Sequence, residues 1–196
     1  MNIVLATRNK KKIEEIKRIV RDMPATIYTL DDFPGCPEVE EDGKTFEENA
    51  VKKARAVSKY AKMPALADDS GLEVYALGGA PGVFSARYSG EGADDRKNYE
   101  KLIREMSSVP DDKRGARFVC VIALAFPGSR VETFSGYAEG LIGKEPKGAN
   151  GFGYDPVFYP KGHGRTFAEM SDKEKDLLSH RGAALGRVYD FLKRGL

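Results

Sequence analysis

The run from Arg117 to Phe126, Arg-Phe-Val-Cys-Val-Ile-Ala-Leu-Ala-Phe, is the longest apolar stretch of the chain. Its length suits a strand with both faces buried and falls far short of a membrane span. Pro127-Gly128 then turns the chain, which predicts pairing with a second strand from Val131 to Leu141. A central hairpin of this kind must be covered, and the covering elements are legible on either side. Asn2 to Ala6 reads as a buried strand and Lys10 to Arg21 as a helix with Ile13, Ile16, Ile19 and Val20 on one face. Thr26 to Leu30 reads as a strand. Thr45 and Glu48 have capping-box spacing for a helix running to about Tyr60. Further on, Asp94 to Met106 reads as a helix and Tyr154 to Tyr159 as a strand. Ser171 and Glu174 cap a short helix to Leu178, and Ser179 to Gly182 interrupts before a last helix with Ala184, Leu185, Val188, Phe191 and Leu192 inward. Cys120 is a core residue. Nothing resembles a linker, so residues 1–196 are expected to form a single domain.

The chemistry is expected at Pro64 to Val74. The apolar residues Ala65 to Ala67 give way to Asp68-Asp69-Ser70-Gly71, and a second apolar run begins at Leu72. Adjacent carboxylates at a strand end repel one another. Mg²⁺, which takes one or two protein carboxylates together with water and phosphate, would relieve that repulsion. A polar turn around Gly71 with solvated aspartates is the plainer alternative.

Cations gather where such a site would need them. Arg8, Lys10, Lys11 and Lys12 crowd the start of the first helix, where the macrodipole disfavours positive charge. Either they form a solvated basic turn, or a phosphate sits there with Thr7, Asn9 and lysine. Lys53 lies on the same helical stripe as Phe46, Ala50 and Val57, so it either snorkels or meets a buried charge. The acidic loop, with Glu38, Glu40, Glu41 and Asp42, either reaches a metal or is solvated. In the glycine-dense segment 147–155, Phe152 or Tyr154 either stacks on a base or anchors the loop. Lys175, His180 and Arg181 make a donor-rich group suited to purine oxygens or phosphates, or else pack and cap.

Composition removes other classes. A formal net charge of +2 gives no support to a general nucleic-acid binder. Two cysteines and two histidines leave no disulfide framework and no zinc pattern. The first residues lack the layout of a signal peptide, so a cytoplasmic protein is expected.

In order, the chain holds Ala6-Thr7-x-Asn9-x-x-Lys12, then Thr45-Phe46-x-Glu48-Asn49-Ala50 with Lys53-Ala54, then Ala67-Asp68-Asp69-Ser70-Gly71-Leu72. Leu77 to Gly82, Ser85-Ala86-Arg87-Tyr88, Gly151 to Pro156 and Ser179-His180-Arg181-Gly182-x-Ala184 follow. Together they resemble the inosine/xanthosine triphosphate pyrophosphatase family across nearly the whole chain. The resemblance implies an α/β fold, a long and highly twisted mixed sheet with flanking helices and two lobes around a central cleft. It implies hydrolysis of non-standard purine nucleoside triphosphates to monophosphate and pyrophosphate, Mg²⁺ as cofactor and a homodimer, with no nucleic-acid polymer or membrane as partner. Asp69 and Lys53 would be catalytic. Thr7, Asn9 and Lys12 would hold the triphosphate, with Arg8, Lys10 and Lys11 adding charge where the family often has small residues. Asp69, Asp68, Glu41 and Glu40 would serve the metal and Ser70 the substrate. Phe152, Gly153, Tyr154, Asp155, Lys175, His180 and Arg181 would form the base pocket.

Overall fold

The protein is described from a computed structural model covering residues 1–92 and 94–195. Its strands are β1 (Asn2–Leu5), β2 (Thr26–Tyr28), β3 (Ala65–Val74), β4 (Gly115–Ala125), β5 (Val131–Ile142) and β6 (Phe158–Pro160). They form one mixed sheet in the order β2-β1-β3-β4-β5-β6. The helices are α1 (Lys10–Ile19), α2 (Phe46–Ala61), α3 (Asp95–Glu105), α4 (Asp172–Leu178) and α5 (His180–Lys193). β1 pairs parallel with β2 and with β3, and β5 pairs antiparallel with β6. Parallel neighbours need crossovers, which α1 and α2 supply.

The chain packs as two compact units. The first comprises Met1–Asp69, Cys120–Gly136 and Arg181–Leu196, and the second Ser70–Val119 and Tyr137–His180. In the first, Ile3 and Leu5 of β1, Ile16 of α1, Leu66 of β3, Cys120, Ile122 and Leu124 of β4, and Leu185 and Val188 of α5 make the core. In the second, Leu72, Leu102, Met106, Phe118, Phe158 and Phe167 do so, with the Phe118 and Phe158 rings 4.7 Å apart.

Most predicted elements are present, and the differences have local causes. β2 stops at Tyr28 because Thr29 and Asp32 form a capping box for a 3₁₀ turn, Thr29 N donating to Asp32 Oδ2 at 2.8 Å. Pro156 places residues Asp155–Val157 in another 3₁₀ turn, leaving only Phe158–Pro160 as strand. The Thr45–Glu48 and Ser171–Glu174 boxes both form, each side chain bonding the other residue's backbone. The break before the last helix is Ser179 alone, with His180 and Arg181 already in α5. The aspartate pair differs most. No turn separates Ala67 from Leu72: β3 runs unbroken from Ala65 to Val74, with Asp68, Asp69 and Gly71 inside it. The carboxylates therefore sit in mid-strand, where they need buried partners rather than solvent.

Candidate active site in the first unit

Successive strand residues face opposite ways, and Asp68 and Asp69 accordingly have different partners. Asp68 is fully buried. Its Oδ2 accepts from Arg181 Nη2 at 3.0 Å and pairs with Lys12 Nζ at 3.2 Å. Arg181 also donates through Nη1 to Glu15 Oε2 at 3.0 Å. Burial alone would raise the Asp68 pKa, but Lys12, Arg181 and Lys53 outweigh it and hold the carboxyl far below the usual carboxylate range. Asp68 is an anion at neutral pH.

Asp69 faces α2. Asn49 Nδ2 donates to its Oδ2 at 3.1 Å, and Lys53 Nζ reaches its Oδ1 at 3.2 Å. Lys53 Nζ also donates to Glu41 Oε1 at 2.7 Å and to the Asp68 carbonyl at 2.8 Å. The lysine flagged by its place on an apolar stripe therefore meets buried charge instead of snorkelling. Burial opposes its positive form, yet Asp69, Asp68 and Glu41 together raise its pKa. Burial, reinforced by the negative charge of Glu41, lifts Asp69 to about 6 against the pull of Lys53. One aspartate is thus locked ionised while its neighbour is poised to exchange a proton, a pattern typical of sites that do acid–base work.

The donor set suits a hard divalent cation. Glu41 and Asp69 share one ammonium and lie within hydrogen-bonding reach of each other. Two such carboxylates are what Mg²⁺ takes from a protein when substrate phosphate and water complete its shell. Among the described residues no three ligand-type side chains form a ready-made cage. Glu40 is exposed, and Glu41 is the member of the acidic loop that reaches Lys53. Asp68, expected beside the metal, is instead taken up by Arg181 and Lys12.

The basic loop adopts the expected helix start. Asn9 caps α1, its Oδ1 accepting from Lys12 N at 3.2 Å, and Thr7 Oγ1 accepts from Asn9 N at 3.2 Å. Arg8 is tied to the Cys36 carbonyl at 2.8 Å, while Lys10 and Lys11 are exposed. Of this group, Lys12 joins the carboxylate cluster.

The second unit carries the residues expected at a purine. Asp155 is buried, and its Oδ2 accepts from Lys175 Nζ at 2.7 Å and from Phe152 N at 2.8 Å. Gly151 has φ +73° and lies so close that a Cβ there would be 2.1 Å from Asp155 Oδ2, so only glycine fits. Lys175 Nζ stands 4.8 Å from the Phe152 ring centroid. Gly153 has φ +64°, and half-buried Ser70 lies in β3. Tyr154 uses its hydroxyl to hold the Ser85 carbonyl at 2.8 Å, the anchoring alternative of the two foreseen. His180 stacks on Phe118 with centroids 4.6 Å apart and planes 8° from parallel. Arg181 was expected with Lys175 and His180, but its guanidinium is buried against Asp68 and Glu15.

The sequence assigns no role to Glu15, nor to Asn49 beyond its place in a motif. Asn49 stands four residues before Lys53, so the helical spacing that singled out the lysine points to the asparagine as well. Glu15 stands three residues after Lys12, on the same side of α1.

A profile of the Ham1 family matches residues 3–191. The chain belongs to that family. It is 54% identical over 190 residues to a dITP/XTP pyrophosphatase of Geobacter sulfurreducens, covering 97% of this chain and 96% of the relative. It is 50% identical over 194 residues to a dITP/XTP pyrophosphatase of Desulforamulus reducens, covering 99% and 96%. A solved HAM1 protein from Coxiella burnetii superposes with a TM-score of 0.90 at 43% identity over 100% of both chains. A nucleoside-triphosphatase, or dITP/XTP pyrophosphatase, from Mycobacterium abscessus gives 0.79 at 45% identity, covering 96% of this chain and 98% of that one. The mixed sheet with flanking helices is therefore the Ham1 fold.

Proposed function

We propose that this chain is a pyrophosphatase of non-standard purine nucleoside triphosphates, converting dITP, ITP and XTP to the monophosphate and pyrophosphate. The observation that carries this reading is Lys53, whose one ammonium holds Glu41, Asp69 and the Asp68 carbonyl. Its relatives' names supply the substrate class. Mg²⁺, held by Asp69 and Glu41, would neutralise phosphate charge and lower the pKa of attacking water. Asp69 accepts the proton of the water that attacks the α-phosphorus. Pyrophosphate leaves as the α–β anhydride bond breaks, its growing charge met by Lys12 and Lys53. Lys12 is free to turn toward phosphate because Arg181 keeps Asp68 compensated. The N–H groups at the start of α1, with Thr7 and Asn9, take the remaining phosphate oxygens.

In the second unit, Lys175 is the donor that a 6-oxo purine would accept from, with Asp155 fixing its direction. Adenine presents an amino group at that position and would leave the donor unpaired. His180 and Phe152 border the same function, whereas Arg181 acts through Asp68. The whole chain, 1–196, would work as one pyrophosphatase domain, as a cytoplasmic homodimer. Among the described residues no helix is long and apolar enough to cross a membrane.

A phosphatase working on the same substrates would cut elsewhere, so product identity decides. Incubation with inosine triphosphate and Mg²⁺, followed by phosphorus NMR, should yield inosine monophosphate and pyrophosphate. Orthophosphate as the first product, or no turnover, would overturn the assignment.

A further inference from the structure

Asn49 connects two parts of the first unit that the reaction needs in fixed relation. Its side chain is buried on α2 and engaged at both ends: Nδ2 donates to Asp69 Oδ2 at 3.1 Å, and Oδ1 accepts from Gly43 N at 2.8 Å. Lys53, one helical turn later, repeats the arrangement with charge. It takes the other oxygen of Asp69 at 3.2 Å and reaches into the acidic loop at Glu41, 2.7 Å away. The loop is thus fastened to α2 at Glu41 and at Gly43 by the same two side chains that grip the two oxygens of Asp69.

We infer that Asn49 is a positioning residue: by holding Asp69 and Gly43 at once, it sets the acidic loop so that Glu41 and Asp69 face a single cation. This deepens the reaction proposed above and rests on it. The division of labour follows from charge. Lys53 can follow its carboxylates as a flexible point charge, whereas a planar amide bonded at both ends fixes direction. Packing leaves it little room. A Cβ on Gly43 would come within 2.6 Å of Asn49 Oδ1 and 2.9 Å of Glu48 Cβ, and Gly43 has no left-handed φ. Glycine stands there for closeness to the amide rather than for backbone freedom.

Two variants approach the amide from opposite ends. Asn49→Leu keeps the branched shape and removes both bonds; Gly43→Ala leaves Asn49 in place and pushes its carbonyl away. With inosine triphosphate and varied Mg²⁺, rates being normalised to folded protein, Asn49→Leu should lower kcat ~10–100-fold and raise the Mg²⁺ half-saturation about 10-fold, as loss of an outer-shell partner does. The KM for nucleotide at saturating Mg²⁺ should stay within about 3-fold, because no phosphate or base contact is touched. Gly43→Ala should shift the same quantities less, and the double variant should fall short of additivity, since both changes break one device. Hydrogen exchange in nucleotide-free protein gives an independent readout: the Gly43 amide should exchange faster in Asn49→Leu. Faster exchange or a lower Tm with unchanged kcat and Mg²⁺ half-saturation in both variants would reduce Asn49 to a loop fastener and overturn the inference. If Asn49→Leu does not fold, Gly43→Ala carries the same test. Failure of the parent reaction would show separately, as wild-type protein releasing no pyrophosphate.

Discussion

Two arginines are almost wholly buried, one in each unit, and they are compensated in opposite ways. Arg181 in the first unit faces carboxylates, Asp68 Oδ2 at 3.0 Å and Glu15 Oε2 at 3.0 Å. Arg114 in the second donates to backbone carbonyls, Ile142 at 2.7 Å, Met106 at 2.7 Å, Gly143 at 2.9 Å and Val109 at 3.3 Å. Burial disfavours both charges, and the outcomes diverge. The pKa of Arg114 is lowered, whereas Asp68 and Glu15 more than offset burial at Arg181 and raise its pKa. Carbonyls satisfy hydrogen bonds and tie the end of α3 to the start of β4 and the end of β5. Carboxylates add an electrostatic network, in which moving one charge is felt by every other. The first arrangement holds a fold; the second can hold a fold and serve a reaction.

Breaking the carboxylate arrangement should have the largest effect. Arg181→Met takes their shared cation from Glu15 and Asp68, leaving Asp68 with Lys12, and removal of one partner from a buried pair costs about 3–5 kcal/mol. Chemical denaturation should show that loss together with reduced turnover of the folded fraction, because Lys12 is then held on Asp68 and cannot turn to phosphate. Adding Asp68→Asn to Arg181→Met should recover much of the stability. No recovery would mean that Arg181 matters for its bulk and that the comparison with Arg114 fails.

Next comes Lys53→Met, which keeps the aliphatic stem and deletes the cation. Turnover of inosine triphosphate should fall ~10²–10³-fold, the range for loss of one preorganised charge-stabilising group, with circular dichroism unchanged. Full activity would return Lys53 to a packing role. Arg114→Met should cost stability alone, about 1–3 kcal/mol for each buried carbonyl left without a donor. Its kcat and KM per folded molecule should match the wild type, and a changed kcat would place Arg114 in the chemistry.

What could be read in advance divides along the same line. Lys53 was legible because an amphipathic stripe has a period, and a lysine on it has to be explained. The caps at Thr45 and Ser171 were legible because their partners lie three residues away. Arg181 was not, since Asp68 is 113 residues distant and Glu15 is 166, beyond any local spacing. The unbroken β3 was hidden for the same reason. Two aspartates in mid-strand contradict strand propensity, and only the cations brought to them from α1, α2 and α5 permit it. Asn49 was within reach of the reasoning applied to Lys53 but carries no charge to attract notice.

The smallest effect concerns Asp69 and tests whether the two adjacent carboxylates differ as described. Its pKa of about 6 in the cation-free protein lies above the ordinary aspartate value of 3.8. Below that ordinary value both folded and unfolded chains hold the proton. Between there and 6 the folded chain keeps a proton that the unfolded chain has lost, so stability from this group declines as pH rises and is gone above 6. Asp68, held low by Lys12 and Arg181 despite burial, has the opposite sign: its contribution is present above 3.8 and is lost only in strong acid. Asp69→Asn removes the first slope and leaves the second. Without divalent cation the variant should therefore be more stable than wild type at pH 7. At pH 5 the gap should shrink. Mg²⁺ favours the ionised carboxyl, so the rise in Tm that it gives the wild type should grow from pH 5 to pH 7 and be largely absent in Asp69→Asn. A gap that widened toward acid pH would mean that Asp69 is held ionised like its neighbour, and the two aspartates would then share one role.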